Sequence, residues 1–146
     1  MGEQYRMISY VSTLTGEVSI DEVKNLLCQT ECTNNSIGIK GMLLFHEGHF
    51  FQYLSGEKST VSDIFNKITC DHRHHAIQII TDKSLLRNKR EVIYGENEYK
   101  GFISGVPNRF CDHELERYTK HLKRVDLKAY RLLSYMIYQF YRKIAV

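Results

Sequence analysis

Ile39-Lys40-Gly41-Met42-Leu43-Leu44-Phe45-His46-Glu47-Gly48-His49-Phe50-Phe51-Gln52-Tyr53-Leu54-Ser55-Gly56 is the stretch that decides the fold. Two apolar runs, Ile39 to Phe45 and His49 to Leu54, flank His46-Glu47-Gly48. So short a connection joins antiparallel neighbours, so the pair is predicted to be a hairpin. Upstream, Met7 to Ser12 is short, β-branched and aromatic, and it ends in a Thr/Gly turn signal at Thr13–Gly16, which predicts a strand. Ser19-Ile20-Asp21-Glu22 is a capping box, followed by Val23, Leu26 and Leu27 at helical spacing, so a helix is predicted to about Thr30. Thr33-Asn34-Asn35-Ser36 is expected to stop it, because Asn and Ser compete for backbone hydrogen bonds. Downstream, Ser59 opens a second helix whose Val61, Ile64, Phe65 and Ile68 trace one face, and Ala76 to Thr81 reads as another strand. The order β-α-β-β-α-β predicts an α+β, ferredoxin-like antiparallel sheet with two helices on one face.

A chain of 146 residues is about one domain and needs no metal or disulfide staple to build a core. In residues 84–111, Leu85-Leu86 and Val92-Ile93-Tyr94 suggest one more strand, interrupted by Gly95-Glu96-Asn97-Glu98. Asp112 can cap a helix through about Lys123. Asp126 can cap another in which Leu133, Met136, Ile137, Phe140 and Ile144 recur helically, so that helix must pack on something. Charge divides along the same line: residues 1–112 hold 12 Lys/Arg and 14 Asp/Glu (net −2), residues 113–146 hold 8 and 3 (net +5). The body offers no broad footprint for nucleic acid, and the tail's Arg117, Lys120, Lys123, Arg124, Lys128 and Arg131 read first as a solvated helix face. Its Tyr118, Tyr130, Tyr135, Tyr138 and Tyr141 are expected to be buried on the sheet or in a subunit contact.

Cys28, Cys32, Cys70 and Cys111 do not make a secreted disulfide framework; Cys28 and Cys32, four apart on one helix, are expected to be small buried hydrophobes. The opening MGEQYRMISYVSTL has no signal-peptide core, and no window reaches the ~18 apolar residues of a membrane span. A cytoplasmic, reducing setting is expected.

Four motifs then occur in one order. They are Tyr10-Val11-Ser12 at a strand end, and Asn34-Asn35 ahead of Ile39-Lys40-Gly41 and its apolar strand. Phe50-Phe51-Gln52-Tyr53-Leu54-Ser55-Gly56 and Asp71-His72-Arg73-His74 follow. The first hundred residues thereby resemble a BLUF domain, the blue-light sensor that uses FAD, of the short single-domain type. The resemblance implies a non-covalently bound FAD whose ring lies between the two helices. Tyr10 would be donor to the excited flavin, with Gln52 between it and the ring. Asn34 would hold the polar edge, and Arg73 and His74 the far edge or the ribityl–phosphate chain. Cofactor-binding positions are thus Tyr10, Ser12, Asn34, Asn35, Gln52, Arg73 and His74, of which Tyr10 and Gln52 are photoactive and not enzymatic. A phenol is oxidisable and releases its proton with the electron, and a carboxamide can reverse its bonding by turning. The resemblance departs at the family's last strand, usually Arg-x-Phe-x-x-Trp-x-Met. Arg87-Asn88-Lys89-Arg90-Glu91-Val92-Ile93-Tyr94-Gly95 holds neither Trp nor Met, and the chain has no Trp at all.

Residues 1–104 are therefore expected to form the flavin-binding unit. Residues 105–146 would be a helical extension that, as in short BLUF proteins, caps the open face of the sheet and supports a homo-oligomer. Output would pass to a separate downstream protein, with no membrane role and no nucleic-acid partner. The alternative is a flavin-free, BLUF-like scaffold acting by protein–protein contact. A small-ligand enzyme on the same topology lacks motif support: no Ser-His-Asp, paired-carboxylate or Gly-rich phosphate pattern occurs. Adjacent histidines at 72, 74 and 75 cannot all point at one ion, so no metal is expected.

Overall fold

A computed structural model describes residues 4–16, 18–86, 99–103 and 112–144. The hairpin is its centre. Strand β2 (Lys40–His46) turns through Glu47 and Gly48, at φ of 47° and 80°, into strand β3 (His49–Glu57). Two successive positive φ angles match the right-handed twist of the strands they join. The register runs from Phe45 opposite Phe50 to Lys40 opposite Ser55. Strand β1 (Gln4–Leu14) lies antiparallel to β3, and β4 (His74–Leu86) antiparallel to β1. A fifth strand, β5 (Lys100–Ile103), runs parallel to β2, giving the order β4-β1-β3-β2-β5. Two register shifts against β1 and a left-handed Ala76 (φ 54°) kink β4, a common way of blunting a strand at a sheet edge.

Strict alternation along the strands gives the sheet two apolar faces. Ile8, Tyr10, Leu43, Phe45, Phe50 and Leu54 face helix α1 (Ile20–Ser36) and helix α2 (Lys58–Thr69), meeting Val23, Leu27, Val61 and Phe65. Met7, Met42, Leu44, Phe51 and Tyr53 face the other way, onto Leu115, Tyr118, Leu122, Ala129 and Leu133 of α3 (Asp112–Val125) and α4 (Leu127–Ile144). Each large side chain so buried contributes about 1.5–3 kcal/mol. The second layer accounts for the apolar start of the final helix: Ala129 and Leu133 are core residues, with Met136 packed beside them. Gly41 (φ 141°) lets the hairpin close, since a Cβ there would lie 1.8 Å from the Tyr53 carbonyl oxygen.

The expected β-α-β-β-α-β order and both C-terminal helices are present, and several boundaries differ. Thr33-Asn34-Asn35-Ser36 does not stop α1 but forms its last turn. Ser36 Oγ turns back onto the Thr33 carbonyl (2.7 Å) within the helix, and the Asn35 side chain is taken by the distant Tyr99 backbone, so neither side chain competes for the helix's own bonds. Leu85-Leu86 is the end of β4, and the additional strand lies at Lys100–Ile103; Arg87–Gly95, with Val92–Tyr94, is outside the described residues. Cys28 and Cys32 are exposed, not buried, because α1 buries only Val23, Leu27 and Asn34. Tyr118 packs edge-on against Phe102, at 5.6 Å between ring centres, whereas Tyr135 is 61% exposed and so is not among the tyrosines packed on the sheet.

Candidate functional site

Tyr10 and Gln52 are directly opposed across the β1–β3 ladder, so their side chains rise side by side on the α1/α2 face. Both are buried. The Tyr10 hydroxyl donates to Gln52 Oε1, and Gln52 Nε2 donates to the hydroxyl of Tyr99, the residue immediately before β5. A carboxamide thus stands between two phenols. Burial raises the pKa of both hydroxyls, with Asp71 adding to the effect at Tyr10 and Tyr10 itself adding at Tyr99, so both remain protonated.

The last turn of α1 brings Asn34 to the same place. Its backbone carbonyl accepts from the Ile39 amide (2.9 Å), fixing the helix end to the start of β2. Its side chain is 3% exposed, and among the described residues Nδ2 has no hydrogen-bond partner. An orphaned buried amide nitrogen forfeits about 1–3 kcal/mol unless a ligand accepts from it. The cleft it faces is about 270 Å³ and opens between α1 and α2. Leu26, Leu43, Phe50, Ile64 and Ile68 supply apolar walls, with Tyr10, Gln52 and Asn34 as polar groups. Flat apolar walls with a few convergent donors suit a planar heterocycle with one polar edge.

The turn after α2 also lines the cleft. Arg73 is bound to Asp71 by two contacts from Nε (both 3.0 Å) and one from Nη2 (2.5 Å). That hydrogen bonding holds the Asp71 carboxyl down at about 2. His74 Nε2 donates to the Ile68 carbonyl (2.7 Å), which leaves Nδ1 facing the Ser12 hydroxyl at 2.7 Å.

Of the residues singled out from sequence, Tyr10, Asn34, Gln52, Arg73 and His74 converge on this cleft. Ser12 does not line it and meets it only through His74. Asn35 points the other way, accepting from the Tyr99 amide (2.6 Å) and donating to the Tyr99 carbonyl (3.1 Å). Tyr99 was not singled out. Four residues of β5 interrupted by Gly101 carry no periodic signal, and only the Gln52 amide, in need of a second partner, hinted at such a residue.

A family model described as sensors of blue-light using FAD matches residues 6–91, more than half of the chain. No curated protein matches it. Among solved structures, the dark state of BlrB, described as a BLUF protein, is 19% identical, covers 91% of this chain and 97% of that one, and gives a TM-score of 0.59. BlrP1 of Klebsiella pneumoniae is 23% identical with a TM-score of 0.62, covering 89% of this chain and 33% of that one. A bacterial light-regulated adenylyl cyclase is 24% identical with a TM-score of 0.57, covering 89% and 36%. The chain therefore spans about a third of the length of these last two. At these identities the likeness is one of fold.

Proposed function

The chain belongs to the BLUF family, the sensors of blue light that use FAD, and from that premise we propose that Tyr10, Gln52 and Asn34 form its light-responsive group. The observation that carries the proposal is the buried Tyr10–Gln52 hydrogen bond beside a cleft whose wall holds the unpartnered Asn34 amide. BLUF domains bind FAD and sense light; the domain is not itself catalytic. In this reading Tyr10, Asn34, Gln52, Arg73 and His74 touch the cofactor, Ser12 orients His74, and Asn35 steadies the strand behind Gln52. The apolar walls hold the ring, and the orphaned Asn34 nitrogen donates to its polar edge.

Bound FAD supplies the blue absorption and an excited state able to take an electron. The Tyr10 phenol, desolvated and kept protonated, can give that electron only together with its proton, and Gln52 Oε1 is the acceptor aligned for it. Gln52 then changes its bonding by turning or tautomerising, and a carboxamide serves here because its two ends are a donor and an acceptor of similar shape. Residues 1–104 are the flavin unit in this proposal, and 105–146 the helical appendage through which copies of the chain or a downstream protein are engaged. A cytoplasmic setting belongs to the same proposal; among the described residues no helix is long and apolar enough to cross a membrane.

The test is optical. The purified chain is expected to be yellow, and its visible band to move slightly to the red under blue light and return in the dark. Tyr10→Phe is expected to abolish that shift while leaving the protein yellow. A colourless protein that takes up no added FAD points instead to a scaffold, and a Tyr10→Phe chain that still shifts removes Tyr10 from the donor role.

A further inference from the structure

Gln52 has a hydroxyl at each end, and the second one belongs to no motif read from the sequence. We propose that Tyr99 is a positioning residue for Gln52, its hydroxyl able to accept from the amide in one orientation and to donate to the carbonyl in the other. The proposal deepens the preceding reading and rests on it, since it concerns the group whose bonding changes.

In the structure the Tyr10 O–H donates to Oε1, and Nε2 donates to the Tyr99 oxygen. Turn the carboxamide end for end and Nε2 meets Tyr10 while Oε1 meets Tyr99. Both bonds can be remade with direction reversed, because a hydroxyl is one donor and two acceptors. No atom is transferred between residues. The two orientations keep the same number of bonds to protein, and the bonds broken in turning lie between them as a barrier.

The Tyr99 phenol is fixed in place independently of Gln52. Tyr99 is 2% exposed, and both its backbone polar groups are taken by the Asn35 side chain, at 2.6 and 3.1 Å. The end of α1, and not the strand alone, therefore sets the depth of that hydroxyl.

Tyr99→Phe removes one bond from each orientation while leaving the packing nearly unchanged. Both wells rise relative to the barrier, and exchange is expected to quicken in both directions. The loss of one ordinary hydrogen bond corresponds to about a fivefold change in rate. In the FAD-loaded full chain, Tyr99→Phe is expected to keep its red shift and to return to the dark state about fivefold faster than wild type. Asn35→Ala, which frees the Tyr99 backbone but keeps the hydroxyl, is expected to quicken the return by a smaller factor, and it carries the comparison should Tyr99→Phe not fold. A second readout needs no light: in the flavin-free chain labelled with 15N, the Gln52 side-chain amide protons are expected to exchange slowly with water, and rapidly in Tyr99→Phe. A residue that merely fills the core would lower the melting temperature when changed but move neither readout. Unchanged dark-return rate and unchanged Gln52 amide exchange would overturn the proposal. If wild type shows no red shift, the photoreceptor reading fails, and the flavin-free measurement still decides the role of Tyr99.

Discussion

Replacing Asp126 by alanine is expected to loosen the C-terminal helices from the sheet. The Asp126 side chain is buried between α3 and α4, on the face of the sheet opposite the cleft. Its Oδ2 accepts from the Ser9 hydroxyl (2.9 Å), and its Oδ1 from the Thr81 hydroxyl (2.8 Å) and from the Ala129 amide (3.0 Å). Ser9 and Thr81 are partners across the β1–β4 ladder, so one carboxylate ties two neighbouring strands to the first turn of α4. Three such bonds amount to about 4–5 kcal/mol at roughly 1.5 each, the low end for bonds to a carboxylate. Removing the carboxylate also relieves its own desolvation, so the net loss is about 3 kcal/mol. For a chain of 146 residues that lowers the melting temperature by roughly 10 °C. Asp126→Asn keeps an oxygen acceptor for the Ala129 amide and is expected to lose about 1 kcal/mol, a typical helix cap effect being of that size. Denaturant unfolding followed by circular dichroism measures both, and hydrogen exchange along α4 locates the change. Ser9→Ala combined with Asp126→Ala should cost less than the two single changes added, because they share a bond. An Asp126→Ala chain melting within a degree or two of wild type, with α4 equally protected, would refute the reasoning.

Gly41→Ala is expected to give no folded protein, since the new Cβ would lie 1.8 Å from the Tyr53 carbonyl oxygen at a φ of 141°; soluble yield and circular dichroism check it. Asp71 carries a pH dependence: Arg73 holds its pKa below the ordinary 3.8, at about 2, so the pair stabilises the fold above about pH 4 and loses that contribution as pH falls towards 2. Because the Arg73 side chain is 56% exposed, the effect is under about 1 kcal/mol. Arg73→Ala should flatten the stability profile between pH 4 and 2, as read from denaturant midpoints.

How much of this was legible in the sequence depends on how local each cause is. The hairpin was legible because Phe45, Glu47, Gly48 and Phe50 specify it within a few residues of one another. So was the start of α1, where Ser19 Oγ accepts from the Glu22 amide at 3.1 Å. Asp126 was legible as a helix cap, but not as the partner of Ser9, which lies 117 positions away. The end of α1 was misread for the same reason. Asn35 looks like a helix breaker in any window, yet its carboxamide is consumed by the Tyr99 backbone 64 positions on.

Buried polar side chains make the point sharpest. Ser9, Ser12, Gln52 and Thr81 are all buried, and each finds its partner on another element: Asp126, His74, Tyr10 with Tyr99, and Asp126. Each would cost the fold about 1–3 kcal/mol if left unpaired, so their presence in apolar strands signals that partners exist without saying which. A family resemblance could name Tyr10 for Gln52. It could not name Tyr99, because the region where the family carries Trp and Met holds neither here, and the residue that meets the amide is a phenol just ahead of a four-residue strand. Asn34 Nδ2 is the contrasting case: equally buried, it meets no acceptor among the described residues and faces the cleft. Ser9, Ser12, Gln52 and Thr81 are satisfied by protein, whereas the Asn34 nitrogen is left, in the proposed reading, for a ligand entering the cleft. An unpaired atom therefore points to a ligand only where it also lines a cleft, as Asn34 does and the buried Tyr53 hydroxyl on the opposite face does not, while Gln52, already paired with two phenols, enters the proposed site by its place on the cleft wall.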